Sequence, residues 1–294
     1  MESRKIQLVG NRSYSVSLPK QWVISNKLKA KDNIFIDKNE NNELIIKNTN
    51  NEKDNQNHIS INLEDISNIS EFIMFCYVKN IDQINILIKK QDYGQIRSIR
   101  KILTYLEGYD ITSESEKNMT ISFLFNDISV NIQKLLIRIT YLLDLLLASL
   151  ENKDSSTLDQ TETSIDKLYH LSERILFSCI NNRNLKKENT INHNEDIFFY
   201  KDIFKKLENI GDILVSLRKD TLSKEDINLI KKHVGFLSDL LVKKKSTTEL
   251  KTTLNKMKIS SSNGHIKSMI ERINELCKDA LESSISIEFN KSYF

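Results

Sequence analysis

Residues 4–22 read RKIQLVGNRSYSVSLPKQW, and this stretch decides the fold of the N-terminal region. Polar and apolar residues alternate over 4–9 and over 13–18, a pattern that predicts two short strands. The Gly10-Asn11 pair between them is a turn signal. A proline then ends the second strand and favours the first turn of a helix, which we place over 19–27. The stretch therefore predicts a β-hairpin followed by a short helix.

The residues that follow predict a second hairpin. Residues 33–37 and 43–47 are rich in Ile, and they flank a polar loop at 39–42. Residues 48–57 are almost wholly polar and predict a linker. The first 50 residues thus hold four short strands and one helix. Because so short a domain cannot bury both faces of its strands alone, we expect it to dimerise.

Two further regions follow the linker. Residues 58–126 predict a small α+β domain, with helices at 69–77 and 95–106 and strands at 83–88 and 119–125. From residue 127 onward the periodicity is helical, and six helices are predicted, at 127–151, 157–181, 195–219, 223–243, 247–257 and 263–289. The polar breaks between them are typical of an antiparallel helical bundle. The predicted fold is therefore multi-domain, with domains at 1–50, 58–126 and 127–294.

Positive charge is concentrated at the N-terminus. The whole chain carries a net charge of +3, whereas residues 1–48 contain nine Lys and Arg against five Asp and Glu, a net charge of +4. Contacts from Lys and Arg to phosphates drive affinity for DNA, and a dimer doubles any basic patch. We predict DNA contacts from Arg4 and Lys5 on the first strand and from Arg12 in the hairpin turn. Lys20 is expected to add a phosphate contact.

Several classes of protein are disfavoured by the sequence. Cys76, Cys179 and Cys277 are far apart and form no CxxC pair, which argues against a disulfide framework or a zinc finger. The most apolar stretch, 135–147, is interrupted by charges and is shorter than the ~20 residues that span a bilayer. We expect a cytoplasmic protein without membrane insertion. The sequence contains no P-loop and no catalytic signature, so we expect no enzymatic activity.

The N-terminal region resembles a known family of DNA-binding domains. Residues 4–48 are similar to the AbrB/SpoVT-type domain, and SVSLPK at residues 15–20 is the most diagnostic stretch. The family usually has Gly where this chain has Lys31. The resemblance implies an obligate homodimer whose swapped hairpins form one β-barrel and present basic residues to DNA.

The helical region resembles PhoU proteins. ETSIDKLY at residues 162–169 is similar to their ExxxD segment, and KLENIGD at 206–212 is similar to a second signature, commonly ERIGDHA. Asn209 and Ile213 stand where that signature has Arg and His. Together with the N-terminal domain, the pattern resembles the AbrB–PhoU fusion regulators of archaea. The PhoU family's paired ExxxD motifs bind metal clusters, usually of iron or zinc.

The chemistry of the two motifs is consistent with a metal site. Residues four apart share a helix face, so each motif offers two carboxylates together. If the two helices are neighbours, a divalent cation would relieve the repulsion among the four carboxylates, those of Glu162, Asp166, Glu208 and Asp212. The C-terminal half has only one further ExxxD, at 275–279, without a partner signature. We therefore expect at most one cluster per chain.

Three functions are compatible with these features. The first is a DNA-binding transcriptional regulator of phosphate uptake and phosphate signalling, whose PhoU-like domain senses a metal or a partner. The alternative is a PhoU-type adaptor that regulates a phosphate transporter ATPase or a signalling kinase by protein contact, with the N-terminal domain serving dimerisation. A metal-dependent hydrolase is disfavoured, because nothing in the chain resembles a catalytic constellation.

Overall fold

The structure is a computed structural model that describes residues 3–10, 12–38, 43–48, 57–125, 131–261 and 263–293. The chain divides into two compact units, Met1–Asn57 and His58–Phe294. A small N-terminal region of strands is thus followed by a largely helical region.

The first unit consists of two antiparallel hairpins and a short helix. Strand β1 (Gln7–Val9) pairs with β2 (Ser13–Ser15), helix α1 spans Lys20–Ser25, and β3 (Ile34–Lys38) pairs with β4 (Leu44–Asn48). Each predicted element is present, but β1 begins three residues later than predicted and β2 ends three residues earlier. The predicted loop at 39–42 and most of the predicted linker, residues 49–56, lie outside the described residues.

The second unit begins with a four-stranded sheet. Its strands are β5 (His58–Asn62), β6 (Gln83–Leu87), β7 (Tyr109–Glu114) and β8 (Asn118–Phe123), in the order β5-β6-β8-β7. Strands β5 and β6 are parallel and the other pairs are antiparallel. The parallel pair needs a crossover connection, which helix α2 (Ile69–Val78) provides, and helix α3 (Tyr93–Leu103) links β6 to β7. The sequence did not predict β5 or β7.

The remaining helices form a bundle. They are α4 (Ile132–Asn152), α5 (Ser155–Asn181), α6 (Arg183–Glu188), α7 (Asn194–Ser216), α8 (Lys224–Leu241), α9 (Thr247–Lys256) and α10 (Gly264–Tyr293). All six predicted helices are present, and α6 lies in a stretch predicted as a polar break. Residues 126–130, where the first of the six was predicted to begin, lie outside the described residues. Helix α7 packs against α4, α5 and α10, so it lies at the centre of the bundle.

The ends of the helices follow from their capping residues. Asn131 accepts a hydrogen bond from the backbone N–H of Lys134 and so begins α4, and Ser223 forms a capping box with Asp226 at the start of α8. Among the described residues, no helix combines the length and the hydropathy that a membrane span requires.

The buried side chain of Arg174 on α5 joins the bundle to the sheet. It is 2% exposed, and its Nη1 donates to the backbone carbonyl of Tyr77 at 2.7 Å while Nη2 donates to Asp82 Oδ1 at 3.1 Å. The guanidinium carbon lies 3.9 Å from the ring centroid of Phe123, within the range of a cation–π contact. Asn80 Nδ2 in turn donates to the carbonyl of Arg174 at 3.3 Å. Bundle and sheet are therefore one packed body.

We predict that Arg174→Ala lowers the free energy of unfolding by about 2–4 kcal/mol, because it removes the donor to a buried carbonyl and opens space beside Phe123. Urea unfolding of the full chain, followed by circular dichroism, measures the change. The matched control is Arg97→Ala on α3, where the side chain is exposed and the expected change is within about 0.5 kcal/mol. Equal effects of the two substitutions would show that Arg174 does not hold the junction.

Candidate DNA-binding domain and acidic cluster

Arg12 lies in the turn of the first hairpin. The two strands are in register with Val9 opposite Ser13, so the turn comprises the three residues between them. Gly10 has a φ of +64°, a left-handed conformation that Gly adopts without strain. The Arg12 side chain is exposed. The hairpin thus presents the Arg12 side chain to solvent, and Arg12 lies in the turn where the sequence placed it.

The other predicted DNA contacts flank this hairpin. Arg4 and Lys5 precede β1 and do not lie on it, so their predicted placement on the first strand is wrong. The Nη1 of Arg4 nevertheless donates to Ser17 Oγ at 3.0 Å, which holds it against the chain that follows β2. Lys20 is the first residue of α1, and both it and Lys5 are exposed.

The strands of the first unit leave most of their apolar side chains in solvent. Exposed fractions are 61% for Leu8, 71% for Tyr14, 62% for Ile36 and 70% for Leu44. Among residues 3–48 whose burial is described, the one buried side chain is that of Asn48, which donates to the carbonyl of Asn26 at 2.8 Å. Contiguous exposed apolar surface marks an interaction site, and a single copy of this unit does not bury it.

The predicted carboxylates converge on one side of the bundle. Glu162 and Asp166 lie on α5, Glu208 and Asp212 lie on α7, and the two helices pack together. Asp166, Glu208 and Asp212 each place a carboxylate oxygen within 4.8 Å of the others. Glu162 lies outside this group of three. We call the three residues Asp166, Glu208 and Asp212 the acidic cluster.

A glycine allows the two helices to approach each other there. Gly211 is buried on α7, and a Cβ added to it would lie 3.3 Å from Cδ1 of Ile165 on α5. This distance is shorter than ordinary van der Waals contact. The close contact explains why Gly is found in the middle of a helix, where it costs about 1 kcal/mol relative to Ala. It also brings the neighbouring Asp212 and Asp166 together.

The pKa values of Asp166, Asp212 and the neighbouring Glu162 are raised above their usual values. Burial, followed by the charges of Asp212, Glu162 and Glu208, raises the pKa of Asp166 to about 6. Burial and the charge of Glu208 raise the pKa of Asp212, and burial with the charge of Asp212 raises that of Glu162. Although Glu162 lies outside the cluster, it therefore interacts with it electrostatically. Uncompensated negative charge of this kind favours a bound cation.

Basic side chains border the acidic cluster. Lys205 Nζ lies 2.7 Å from Glu208 Oε2 and 5.0 Å from the ring centroid of Tyr169. One turn away, Glu173 is contacted by Lys201 Nζ at 3.1 Å and by His170 Nδ1 at 3.4 Å. The ammonium of Lys205 neutralises one carboxylate of the three, so the remaining negative charge lies on Asp166 and Asp212.

Burial acts to raise the pKa of Glu173, but hydrogen bonds from His170 and Lys201 outweigh it and hold that pKa below its usual value. The sequence predicts no functional role for His170 or Glu173. The available signal was spacing, since His170 follows Asp166 by four residues and shares its helix face.

The donor set of the acidic cluster fits a divalent cation. It offers three carboxylates and no thiolate, a set that suits hard or borderline ions. A cation would compete with a proton for Asp166, because the pKa of that carboxyl is raised. It would compete with the ammonium of Lys205 for Glu208. Asp166, Asp212 and Glu208 would be the ligands.

Comparison with known protein families finds a match over the N-terminal unit. A family model described as antidote-toxin recognition MazE, bacterial antitoxin, matches residues 7–54. No curated protein and no solved structure matches the chain. The match supports an N-terminal domain of the AbrB type and, with it, a DNA-binding or antitoxin-like regulator.

We predict that the full chain is a dimer, with twice the mass of the 34.2 kDa chain. Leu8→Glu with Ile36→Glu should produce a monomer, because it places charge on exposed apolar strands that a second copy would bury. Sedimentation equilibrium measures the mass. The control is Phe198→Glu on α7, where the side chain is 71% exposed and the dimer should persist. A monomeric wild-type chain would rule out the dimer.

Proposed function

We propose that the protein is a DNA-binding transcriptional regulator of phosphate uptake and phosphate signalling. In this proposal the first unit dimerises as a swapped-hairpin barrel and binds DNA, and the helical bundle is PhoU-like and binds a metal or a signalling partner. The observation that supports it most is the combination of exposed apolar strands and excess positive charge in the unit that matches the antidote family model.

The electrostatics of the first unit support DNA as its partner. Residues 1–48 have a net charge of +4, and a dimer brings two copies of this charge to one surface. Arg12 at the hairpin tip is exposed, and Arg4, Lys5 and Lys20 flank the same hairpin. Cationic side chains at these positions would replace condensed counterions along the phosphate backbone, which is the main source of affinity in such complexes.

The geometry of the bundle supports a PhoU-like role. Two ExxxD motifs lie on adjacent helices, and their carboxylates approach each other beside Gly211. An iron or zinc cluster bound there would neutralise this charge and tie α5 to α7. A transporter ATPase or a signalling kinase would then bind the bundle directly and distinguish its metal-bound form from its metal-free form.

The match to the MazE antidote family model favours a second candidate, an antitoxin-like regulator. In that case the first unit would recognise a toxin protein, and DNA binding would serve autoregulation. A further alternative is an adaptor whose first unit only dimerises. A DNA affinity that depends on Arg12 distinguishes the regulator from the adaptor. Co-purification of a small protein partner in stoichiometric amount, abolished by Leu8→Glu, distinguishes the antitoxin from both.

We predict a steep salt dependence for DNA binding. Contacts from Arg4, Lys5 and Arg12 in each chain give about six phosphate contacts per dimer and a slope of about −5 in log K against log salt. Arg12→Ala should reduce the slope by roughly two, one for each copy. Titrations with duplex DNA at several salt concentrations measure both slopes.

A lysine in the same unit provides the control for this experiment. Lys29 is exposed and lies in the segment between α1 and β3, and Lys29→Ala removes the same charge away from the hairpin. We expect it to change the slope by less than about half as much as Arg12→Ala. A salt-independent affinity, or equal slopes for wild type and Arg12→Ala, would favour the adaptor.

We predict that the acidic cluster binds iron or zinc with an affinity that falls as pH falls through about 6, the pKa of Asp166, because protons then compete for that carboxylate. Asp166→Asn with Asp212→Asn should abolish the bound metal. Inductively coupled plasma mass spectrometry of protein purified without chelator measures the metal content and tests both predictions.

The matched control for the metal is the other ExxxD of the bundle. Glu275 and Asp279 lie four residues apart on α10, and Asp279 is paired with Lys206 at 3.3 Å. Glu275→Gln with Asp279→Asn should leave the metal content unchanged. Equal metal content in the wild type and in the Asp166–Asp212 double variant would remove the site from the proposal.

A further inference from the structure

A cavity with a cationic rim lies at one end of the helical bundle. It has a volume of about 290 Å³ and is formed by α4, α7, α8, α10 and the turn that leads into α9. Its floor is apolar and includes Leu136, Ile203 and Ile287. The volume is at the lower end of the ~300–1,000 Å³ typical of small-molecule sites and exceeds what a single simple anion needs.

The rim of the cavity carries three lysines and one glutamate, Lys244, Lys245, Lys291 and Glu288, for a net charge of +2. Asp239 fixes part of the rim, because its carboxylate pairs with Lys245 Nζ at 2.7 Å and with Lys243 Nζ at 2.9 Å.

Two of the rim lysines are available to a ligand. Lys244 and Lys291 form no ion pair with any residue that the structure describes. Glu288 is engaged by Thr247, whose hydroxyl lies 3.2 Å from its Oε2. The rim therefore has two cations to offer to an anion.

The N-terminus of α9 adds backbone donors to the same rim. The helix spans ten residues, Thr247–Lys256, and Ser246 at its N-cap makes no side-chain capping hydrogen bond within the described part of the chain. Both Ser246 and Thr247 line the cavity. The first N–H groups of a helix carry partial positive charge and bind phosphate and carboxylate groups.

A largely buried tyrosine side chain adds a hydrogen-bonding group to the cavity. Tyr200 lines the cavity and is 8% exposed, and its hydroxyl forms no hydrogen bond with the described residues. The hydroxyl is not among the fully buried unsatisfied atoms of the described residues, so it remains accessible to a ligand oxygen. Burial raises the pKa of Tyr200 to about 12, so the group remains a donor at neutral pH.

We propose that this cavity binds a small organic phosphate monoester. Its phosphate lies between Lys244, Lys291 and the N-terminus of α9, and its organic part lies on the apolar floor, within reach of the Tyr200 hydroxyl. A monoester carries a charge of about −1.5 to −2 at neutral pH, which Lys244 and Lys291, the two rim lysines without an ion pair among the described residues, would balance. The inference does not rest on the proposed function, since none of the DNA-binding or cluster residues lines the cavity.

The test uses the full-length protein and phenyl phosphate as the probe, measured by titration calorimetry in a buffer with chelator. The chelator removes any metal that would attract phosphate to the acidic cluster. We expect a dissociation constant below about 1 mM. Inorganic phosphate should bind at least about tenfold more weakly because it leaves the apolar floor uncovered, and phenol should not bind measurably.

Two variants test the proposed contacts. Lys244→Gln with Lys291→Gln should weaken binding of phenyl phosphate by about 100-fold, because each charge-assisted hydrogen bond contributes about tenfold or more. Tyr200→Phe, which keeps the packing and removes the hydroxyl, should weaken it by about five- to tenfold. Both effects support the proposal.

A pair of lysines on two of the helices that form the cavity gives the control. Lys232 on α8 and Lys278 on α10 are exposed and do not line the cavity. Lys232→Gln with Lys278→Gln removes the same total charge and should change binding by less than about twofold. Equal losses in the two double variants would show a non-specific charge effect and overturn the site.

Two further outcomes also overturn the proposal. One is the absence of phenyl phosphate binding at millimolar concentration. The other is inorganic phosphate binding as tightly as phenyl phosphate, since the organic part would then make no use of the apolar floor.

Discussion

The guanidinium of Arg174 is the contact on which the architecture of the second unit depends. A cation removed from water costs several kcal/mol unless hydrogen bonds and packing replace its hydration. Here a backbone carbonyl, the half-exposed carboxylate of Asp82 and the face of Phe123 supply that replacement. The Nε atom has no partner among the described residues, so the replacement is incomplete. The cost is tolerated because the contact fixes α5 against the sheet.

Two contacts therefore fix the position of helix α5. Arg174 places it against the sheet, and the contact between Ile165 and Gly211 places it against α7. Asp166 and Arg174 are eight residues apart on one continuous helix, a distance of about 12 Å along its axis. A displacement of α5 relative to α7 at the acidic cluster would be transmitted to the sheet through this helix. The acidic cluster and the junction with the sheet therefore share one continuous helix.

The sequence predicted the elements with a strong periodic pattern. The six long helices and the hairpins of the first unit repeat their apolar residues at helical or strand spacing, so local pattern suffices. Strand β5 (HISIN) directly follows a polar linker, and β7 (YDITSE) alternates weakly; both are stabilised by pairing with distant strands, which local pattern does not reveal. The convergence of Asp166 with Asp212 was predicted only on the condition that their helices are neighbours, because spacing shows which residues share a helix face and not which helices pack together. The Arg174 junction and the cavity beneath Lys244 depend on tertiary packing, and no local signal marks them.

The same junction has a consequence for synthesis of the chain. The last strand of the sheet ends at Phe123, 51 residues before Arg174, so the sheet leaves the ribosome before the arginine that covers its aromatic face. At about 5–20 residues per second, the interval lasts roughly 3–10 s. During that time Tyr77, Tyr109 and Phe123 lack their cation. The junction between the sheet and the bundle can therefore form only after α5 has been synthesised.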